Sequence, residues 1–204
     1  MNQITAGLRE RKKQQTREAI TRAALELFVE RGYEETTLAE IAEAAGVSTR
    51  TIFAYFPGKE DILFTSFQAL RDAFARALAE RPGGKDALGT LRDFIVSVVC
   101  EKTELDHKVE EIVGGNETLN SHKRARLSQL QELLAPAIAD DLGSGPDDLR
   151  PQIAAASLTA AFEVLELHDR GLPPPSTPEE IAAAIDPVIA FVRAGLEAFP
   201  APPA

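Results

Sequence analysis

Apolar residues recur at every third or fourth position along most of this chain, whereas the alternating runs of Val, Ile and Thr that form strands are missing. Such spacing gathers apolar side chains on one face of an α-helix. The sequence therefore predicts an all-α protein. The predicted helices cover residues 9–31, 38–45, 49–56, 59–80, 85–102, 104–113, 116–141, 147–170 and 178–198. Pro136 and Pro187 fall inside two of these helices and predict a kink or a break.

Residues 37–48 carry the signals for a short helix, a tight turn and the start of another helix. Thr37, followed three residues later by Glu40, is typical of a capping box, which satisfies free backbone N–H groups where a helix begins. Gly46 predicts the end of that helix, and Ser48 can cap the next one. Two short helices joined in this way form a helix-turn-helix unit, whose second helix enters the major groove of DNA.

The third predicted helix has one apolar face and one polar face. At 100° per residue, Ile52 and Phe56 share the face that must pack against the preceding helices. Arginine can pair with guanine, threonine can bond base edges or phosphates, and apolar carbon can lie against a thymine methyl group. The outward face carries Arg50, Thr51, Phe53 and Ala54, with Thr49 and Tyr55 at its flanks. This face predicts that the partner is DNA.

Phosphate contacts are predicted beside the base-reading face. Thr51 and Tyr55 can donate hydrogen bonds to phosphates, and Lys59 begins the next helix, where the helix dipole also favours an anion. The predicted DNA-contacting residues are Thr37, Ser48, Thr49, Arg50, Thr51, Phe53, Tyr55 and Lys59.

Residues 36–63, "TTLAEIAEAAGVSTRTIFAYFPGKEDIL", resemble the N-terminal signature of the TetR/AcrR family of transcriptional regulators. The matching positions include the Thr before the second helix, the Gly-Val-Ser turn, the Tyr-Phe pair and the Lys that opens the fourth helix. Phe53 departs from the pattern, because many members carry Tyr at this position. Direct readout therefore depends more on Thr49 and Arg50 here.

The resemblance implies a helix-turn-helix DNA-binding domain over residues 1–58 and a larger helical domain over residues 59–204 for effector binding and dimerisation. It implies a homodimeric regulator, a repressor rather than an activator, that binds a palindromic operator and is released by a small-molecule effector. The fourth helix joins both domains and is the expected lever. Two rival functions stay open: a helical carrier or enzyme with a vestigial helix-turn-helix, and a constitutive architectural DNA binder.

The charge of the chain is distributed unevenly. The net charge is −10, yet residues 1–60 carry nine basic and nine acidic residues, and residues 1–22 carry six basic against two acidic. Phosphate contacts respond to the potential within a Debye length of about 8–10 Å, so a distant acidic region does not forbid them. For the basic run at residues 9–13 two interpretations stay open. The resemblance favours contact with the DNA backbone or minor groove, and the alternative is a solvated helix start.

The last two predicted helices are rich in alanine and other apolar residues. Ile181, Ile185, Ile189 and Val192 follow helical spacing, which indicates either core or a subunit interface. The resemblance favours an interface in which two helices from each subunit form a four-helix contact.

An effector site, if present, is predicted among the fourth to eighth helices. Its candidate lining residues are Phe67, Leu70, Phe74, Phe94 and Val98, for which ordinary core is the alternative. Cys100 is predicted to be a buried apolar residue.

Catalytic, metal and membrane functions lack sequence support. Glu104 and His107 form a single E-x-x-H, whereas di-iron bundles need two such motifs. No zinc spacing, P-loop or nucleophile elbow occurs, so we expect no enzyme, no cofactor and no metal. The chain has no apolar run of about 20 residues and no signal-peptide pattern at its start, which predicts a cytoplasmic protein.

Overall fold

A computed structural model describes the backbone of residues 2–145, 147–168 and 177–199, and the side chains of residues 8–145, 147–162 and 177–199. Within these ranges the chain forms ten helices and no strand, which confirms the all-α prediction. They are α1 (Asn2–Arg31), α2 (Leu38–Ala44), α3 (Thr49–Tyr55), α4 (Lys59–Leu63), α5 (Thr65–Ala79), α6 (Ala87–Cys100), α7 (Glu104–Gly115), α8 (Glu117–Leu142), α9 (Arg150–His168) and α10 (Pro178–Ala198). Residues 169 and 170, where the eighth predicted helix ends, lie outside the described residues.

The chain divides into two compact units. The first unit comprises residues 1–69 and 103–121, and the second unit comprises residues 70–102 and 122–204. Helices α5 and α8 each begin in the first unit and end in the second. The first unit therefore contains α7 as well as the helix-turn-helix, and the predicted functional division after residue 58 stays a prediction.

The core of the first unit forms where α1 meets the helix-turn-helix. Its buried side chains come from six helices, because α4, α7 and the start of α8 pack against the same core as α1, α2 and α3. The largest contributors are Ile20, Leu27, Phe28, Ile41, Ile52, Phe56, Ile62, Leu63, Val113 and Leu119. This packing fixes which face of α3 is turned inward.

Local capping places α2 and α3 as the sequence predicts. The backbone N–H of Thr37 donates to Glu40 Oε2 at 2.8 Å, and the N–H of Glu40 donates back to Thr37 Oγ1 at 3.3 Å. Gly46 adopts φ of 66°, a left-handed conformation that favours glycine. Ser48 then accepts a hydrogen bond from the N–H of Thr51 at 3.0 Å. The chain thus turns sharply between the two helices.

The predicted fourth helix is wrong in one respect, because it is divided at Phe64. Phe64 has φ of −97° and ψ of 18°, outside the α-helical region, and separates α4 from α5. Apolar spacing runs unchanged across this point, so the sequence pattern does not mark the break. The two internal prolines divide no helix: Pro136 and Pro187 lie on exposed faces, where water can bond the carbonyls they leave free.

The core of the second unit consists of side chains from α5, α6, α8, α9 and α10. Its most buried members are Phe74, Ala87, Leu88, Ile138, Ala155, Leu158 and Ile181. Ion pairs between Arg92 and Asp186, and between Asp86 and Arg193, link α6 to α10. Cys100 is exposed at the end of α6, so the prediction that it is buried is wrong. Among the described residues, no helix is both long enough and apolar enough to span a bilayer.

Candidate nucleic-acid interface

Helix α3 presents Arg50, Phe53 and Ala54 outward and anchors itself through Ile52 and Phe56. Ile52 has none of its surface exposed and Phe56 only 1%, whereas Phe53 is 57% exposed. Arg50 and Ala54 are also exposed, and Thr49, Thr51 and Tyr55 are half-buried. The predicted orientation of this helix is therefore observed for Arg50, Phe53 and Ala54, whereas Thr51, predicted to face outward, is half-buried beside Ser48. A cation, a hydroxyl and a large apolar ring meet solvent together on one short helix.

The hydroxyl groups of Thr37 and Ser48, two residues of the predicted site, cap the N-terminal ends of α2 and α3. Thr37 Oγ1 lies 2.8 Å from Glu40 Oε2, and Ser48 Oγ lies 2.8 Å from Thr51 Oγ1. The hydrogen bond from the Thr37 N–H, followed by the Thr37 hydroxyl, lowers the pKa of Glu40. Glu40 is therefore ionised at neutral pH and holds the start of α2. Whether these hydroxyls also contact DNA stays a prediction.

Lys59 occupies a different environment from the one that its position predicts. Its ammonium donates to the carbonyl oxygens of Tyr33, Glu34 and Thr36 at 2.8, 3.2 and 3.4 Å. It also lies 4.3 Å from the centroid of the Tyr33 ring. The predicted phosphate contact depends on a free ammonium, but all three N–H donors of Lys59 have acceptors within the protein. The observed contacts make Lys59 a tie between α4 and the loop that follows α1.

Tyr33 and Glu34 complete this tie on the side of the loop. The Tyr33 ring packs against Phe28 with 5.0 Å between the ring centroids. Burial, followed by the charges of Glu34 and Asp61, raises the pKa of Tyr33, so its ring stays neutral under Lys59. Glu34 accepts a hydrogen bond from Asn116 Nδ2 at 3.2 Å, which connects the loop to the start of α8. The helix-turn-helix is therefore held from several parts of the first unit.

Arg17 of α1 is a residue near the interface that sequence reasoning missed. Its guanidinium carbon lies 4.6 Å from the centroid of Phe56, the residue that ends α3. The sequence separates these residues by 39 positions, so no local motif could signal the contact. The basic charge of the first 22 residues was the only available hint.

The predicted effector-lining residues do not share one environment. Phe74 is completely buried in the second unit, and Phe94 packs against it with 5.0 Å between the ring centroids. Leu70 and Val98 of the second unit and Phe67 of the first are half-buried. Phe74 and Phe94 thus follow the alternative of ordinary core, and the effector site stays a prediction. The described residues contain no group of three or more His, Cys, Asp or Glu side chains placed to hold a metal ion.

Known proteins similar to this chain are bacterial regulators. Residues 20–65 match the family described as bacterial regulatory proteins, tetR family. The chain is 35% identical over 169 residues to the HTH-type transcriptional regulator TcmR of Streptomyces glaucescens, covering 78% of this chain and 75% of TcmR.

Two solved structures of repressors have the same fold. NalD, the secondary repressor of the MexAB-OprM multidrug efflux pump in Pseudomonas aeruginosa, aligns with a TM-score of 0.63 and 25% identity over 87% of this chain and 96% of NalD. FadR of Thermus thermophilus, solved in complex with lauroyl-CoA, aligns with a TM-score of 0.55 and 28% identity, covering 92% of this chain and 98% of FadR.

Proposed function

Because this chain belongs to the tetR family of bacterial regulatory proteins and is a DNA-binding transcriptional regulator, we propose that it acts as a homodimeric repressor released by a small-molecule effector. The proposal rests mainly on the outward face of α3. Arg50 and Phe53 are exposed there, while Ile52 and Phe56 bury the other face of the helix. The related repressors NalD and FadR support repression as the direction of control.

Arg50 and Phe53 are proposed to read base edges in the major groove. A guanidinium can donate two hydrogen bonds to guanine, and an exposed ring can lie against thymine methyl groups. Thr49 and Thr51 stand beside them at the start of α3, where hydroxyl and N–H groups can approach phosphates. Because Thr49 is half-buried and Phe53 is exposed, specificity is proposed to come from Arg50 and Phe53 rather than from Arg50 and Thr49, and register from the flanking contacts.

Selection from a random duplex library tests the reading of DNA. The purified protein should enrich related sequences with an inverted repeat, and the DNA flanking its own gene should contain a similar repeat. Arg50→Ala should weaken binding by about 1–3 kcal/mol and relax the preference at one base position. Equal weakening on every duplex would instead make Arg50 a phosphate contact. Enrichment of no sequence at all would refute the proposed function and favour a carrier.

Exposed apolar faces on α9 and α10 support the proposed homodimer. Phe191 of α10 is 75% exposed, on the side opposite the buried Ile185 and Ile189. Leu149, just before α9, and Ile153 of α9 are 63% and 44% exposed. Large apolar side chains are usually buried, so these three exposed ones are candidates for a subunit interface.

Small residues surround these apolar side chains. At helical spacing, Phe191 shares its face with Ala184, Gly195 and Ala198. Small residues let helices of two subunits approach closely, and a two-fold axis brings identical faces together. A dimer also doubles the DNA contacts and matches the two halves of an inverted repeat.

Two exposed phenylalanines provide matched tests of the dimer and of the DNA surface. Phe191→Glu places a charge in the proposed interface and should convert the dimer to monomer by sedimentation velocity. Phe53→Glu makes the same change on α3, and it should leave the dimer intact while abolishing DNA binding. A Phe191→Glu protein that remains dimeric would place the interface elsewhere.

Release from DNA is proposed to follow from an effector bound in the second unit. The lauroyl-CoA complex of FadR supports an effector with a long apolar body. To convert a 1:99 equilibrium into 99:1, the effector must bind the DNA-incompetent state about 10⁴-fold more tightly, roughly 5.5 kcal/mol. Acyl-CoA thioesters are the first class to test. They should raise the melting temperature of the protein and release it from an enriched duplex. Acyl-CoA thioesters that do neither would be excluded as the effector class.

A further inference from the structure

Helix α8 carries a basic segment that belongs to none of the sites described above. Residues 118–131 contain Lys123, Arg124 and Arg126 and no acidic residue, in a chain whose net charge is −10. Lys123 and Arg126 are half-buried, whereas Arg124 is exposed. Two of the three charges therefore lie away from the outer surface of the helix.

Lys123 and Arg126 share the face of α8 that packs in the core of the second unit. At 100° per residue their side chains are about 60° apart, and Leu130 and Ala137 fall between them in angle. Ala137 is buried in that core, and Leu130 packs against it. Arg124 points to the other side of the helix. The core-facing side of α8 is thus apolar toward its C-terminal end and cationic one turn before Leu130.

The side chain of Arg126 is directed toward Lys123. Its guanidinium donates to the carbonyl of His122, one turn earlier, at 3.4 Å. It therefore points back toward the turn that carries Lys123, and residues three positions apart are neighbours on a helix. A guanidinium presents N–H donors in a planar fork that matches a carboxylate or a phosphate, and an ammonium adds a second charge. The pair has the chemistry of an anion-binding site.

Apolar side chains continue this face beyond Arg126. Leu130 and Leu133 lie about 6 and 10 Å from Arg126 along the helix axis. Both are partly buried and pack against the core of the second unit, as does Phe94 of α6. A ligand with an anionic head at Arg126 and an apolar body at Leu130 and Leu133 would meet matching groups along its length.

We propose that Lys123 and Arg126 bind the anionic group of the effector, a carboxylate or a phosphate, while its apolar body lies along Leu130 and Leu133. The inference rests on the proposed effector-released function and narrows the effector to amphiphilic anions. Both cations interact with other groups of the protein, so the anion binds by replacing contacts within the fold. An uncharged ligand with the same body binds more weakly, because it cannot offset the cost of withdrawing these cations from their contacts.

Three ligands with one apolar body and different heads test this proposal. Decanoate, decyl phosphate and decanol carry a carboxylate, a phosphate and an uncharged hydroxyl. Isothermal titration calorimetry measures their affinities for the purified protein without DNA. The wild-type protein should bind at least one of the two anions about 10–100-fold more tightly than decanol, the range expected for a hydrogen bond to a charged group. The anion that binds more tightly identifies the head group.

Single variants on the two sides of α8 locate the site. Arg126→Met and Lys123→Met should each weaken binding of the preferred anion about 10-fold or more and leave the affinity for decanol unchanged. Arg124→Met removes the same charge from the exposed side and should keep the preference of the wild type. Arg126→Lys retains the charge and should recover part of the affinity. Circular dichroism checks that each variant is folded, and either inward variant is sufficient for the test.

The possible results are distinguishable. Loss of the head-group preference in Arg126→Met or Lys123→Met, but not in Arg124→Met, supports the proposal. Equal affinities of the wild type for the three ligands, equal effects of the inward and outward variants, or no binding of either anion overturn it, and the two cations would then serve only contacts within the fold. If the wild-type protein enriches no duplex, the proposed function is overturned instead, and the calorimetry, which contains no DNA, still decides the anion site.

Discussion

The ammonium of Lys59 donates to three backbone carbonyls, so Lys59→Met removes the donor from all three at once. Hydrogen bonds to charged groups contribute about 1.5–3 kcal/mol each in favourable cases. Here only the 2.8 Å bond to Tyr33 is short, whereas the bonds to Glu34 and Thr36 are 3.2 and 3.4 Å long and the side chain of Lys59 is 26% exposed, so we count one bond at full strength. Loss of the cation–π contact adds about 0.5–1 kcal/mol. We therefore expect a destabilisation of about 2–4 kcal/mol.

Urea and thermal unfolding measure this effect directly. For a chain of this size 1 kcal/mol corresponds to about 2–4 °C, so the melting temperature should fall by about 4–16 °C. Lys12→Met is the matched control, because Lys12 is exposed on the projecting part of α1. Equal stabilities of the two variants would refute the role of Lys59 as a tie.

The salt dependence of DNA binding separates this role from a phosphate contact. Because the ammonium of Lys59 is engaged inside the protein, Lys59→Met should leave the slope of log K against log salt unchanged at a temperature where the variant is folded. A slope that falls by about 0.9 would show that Lys59 contacts a phosphate when DNA is bound.

Two further substitutions test the turn of the helix-turn-helix and a buried ion pair. Gly46→Ala should destabilise by about 1 kcal/mol by urea unfolding, because φ at Gly46 is 66°, whereas Gly115→Ala, with open space and no positive φ, should not. Asp148 is buried and its pKa is lowered by hydrogen bonds from Arg150, so its stabilising contribution is complete above the ordinary Asp pKa of about 4 and is lost as pH falls through the lowered value. Asp148→Asn should therefore destabilise at pH 7 and approach the wild type in acid, whereas Asp147→Asn, one residue away and exposed, should have little effect at either pH.

The helix-turn-helix could be predicted from the sequence because its signals act over short distances. The Thr37 and Glu40 cap, the Gly46 turn and the Ser48 cap each involve residues no more than four positions apart. Backbone geometry then fixes which α3 side chains face outward once Ile52 is buried. Local chemistry was sufficient to locate the candidate interface.

Contacts between distant parts of the chain could not be predicted in this way. The break at Phe64 leaves the apolar spacing intact, and the carbonyls that hold Lys59 belong to residues more than twenty positions away. The exposure of Cys100 and the packing of Phe74 against Phe94 depend likewise on which helices meet. Residue types and spacings would be the same whether or not these helices met, so the sequence alone does not reveal the contacts.

The sequence alone determined the helical fold, the turn between α2 and α3, and the polar face that identifies a DNA-binding regulator. The tertiary structure decided that Lys59 ties α4 to the loop after α1, that α7 belongs to the first unit, and that Arg17 meets the end of α3. The physical reason is range: caps and helical faces are set by neighbours within one turn. Partners for a long cation or a ring are chosen only when remote segments pack together.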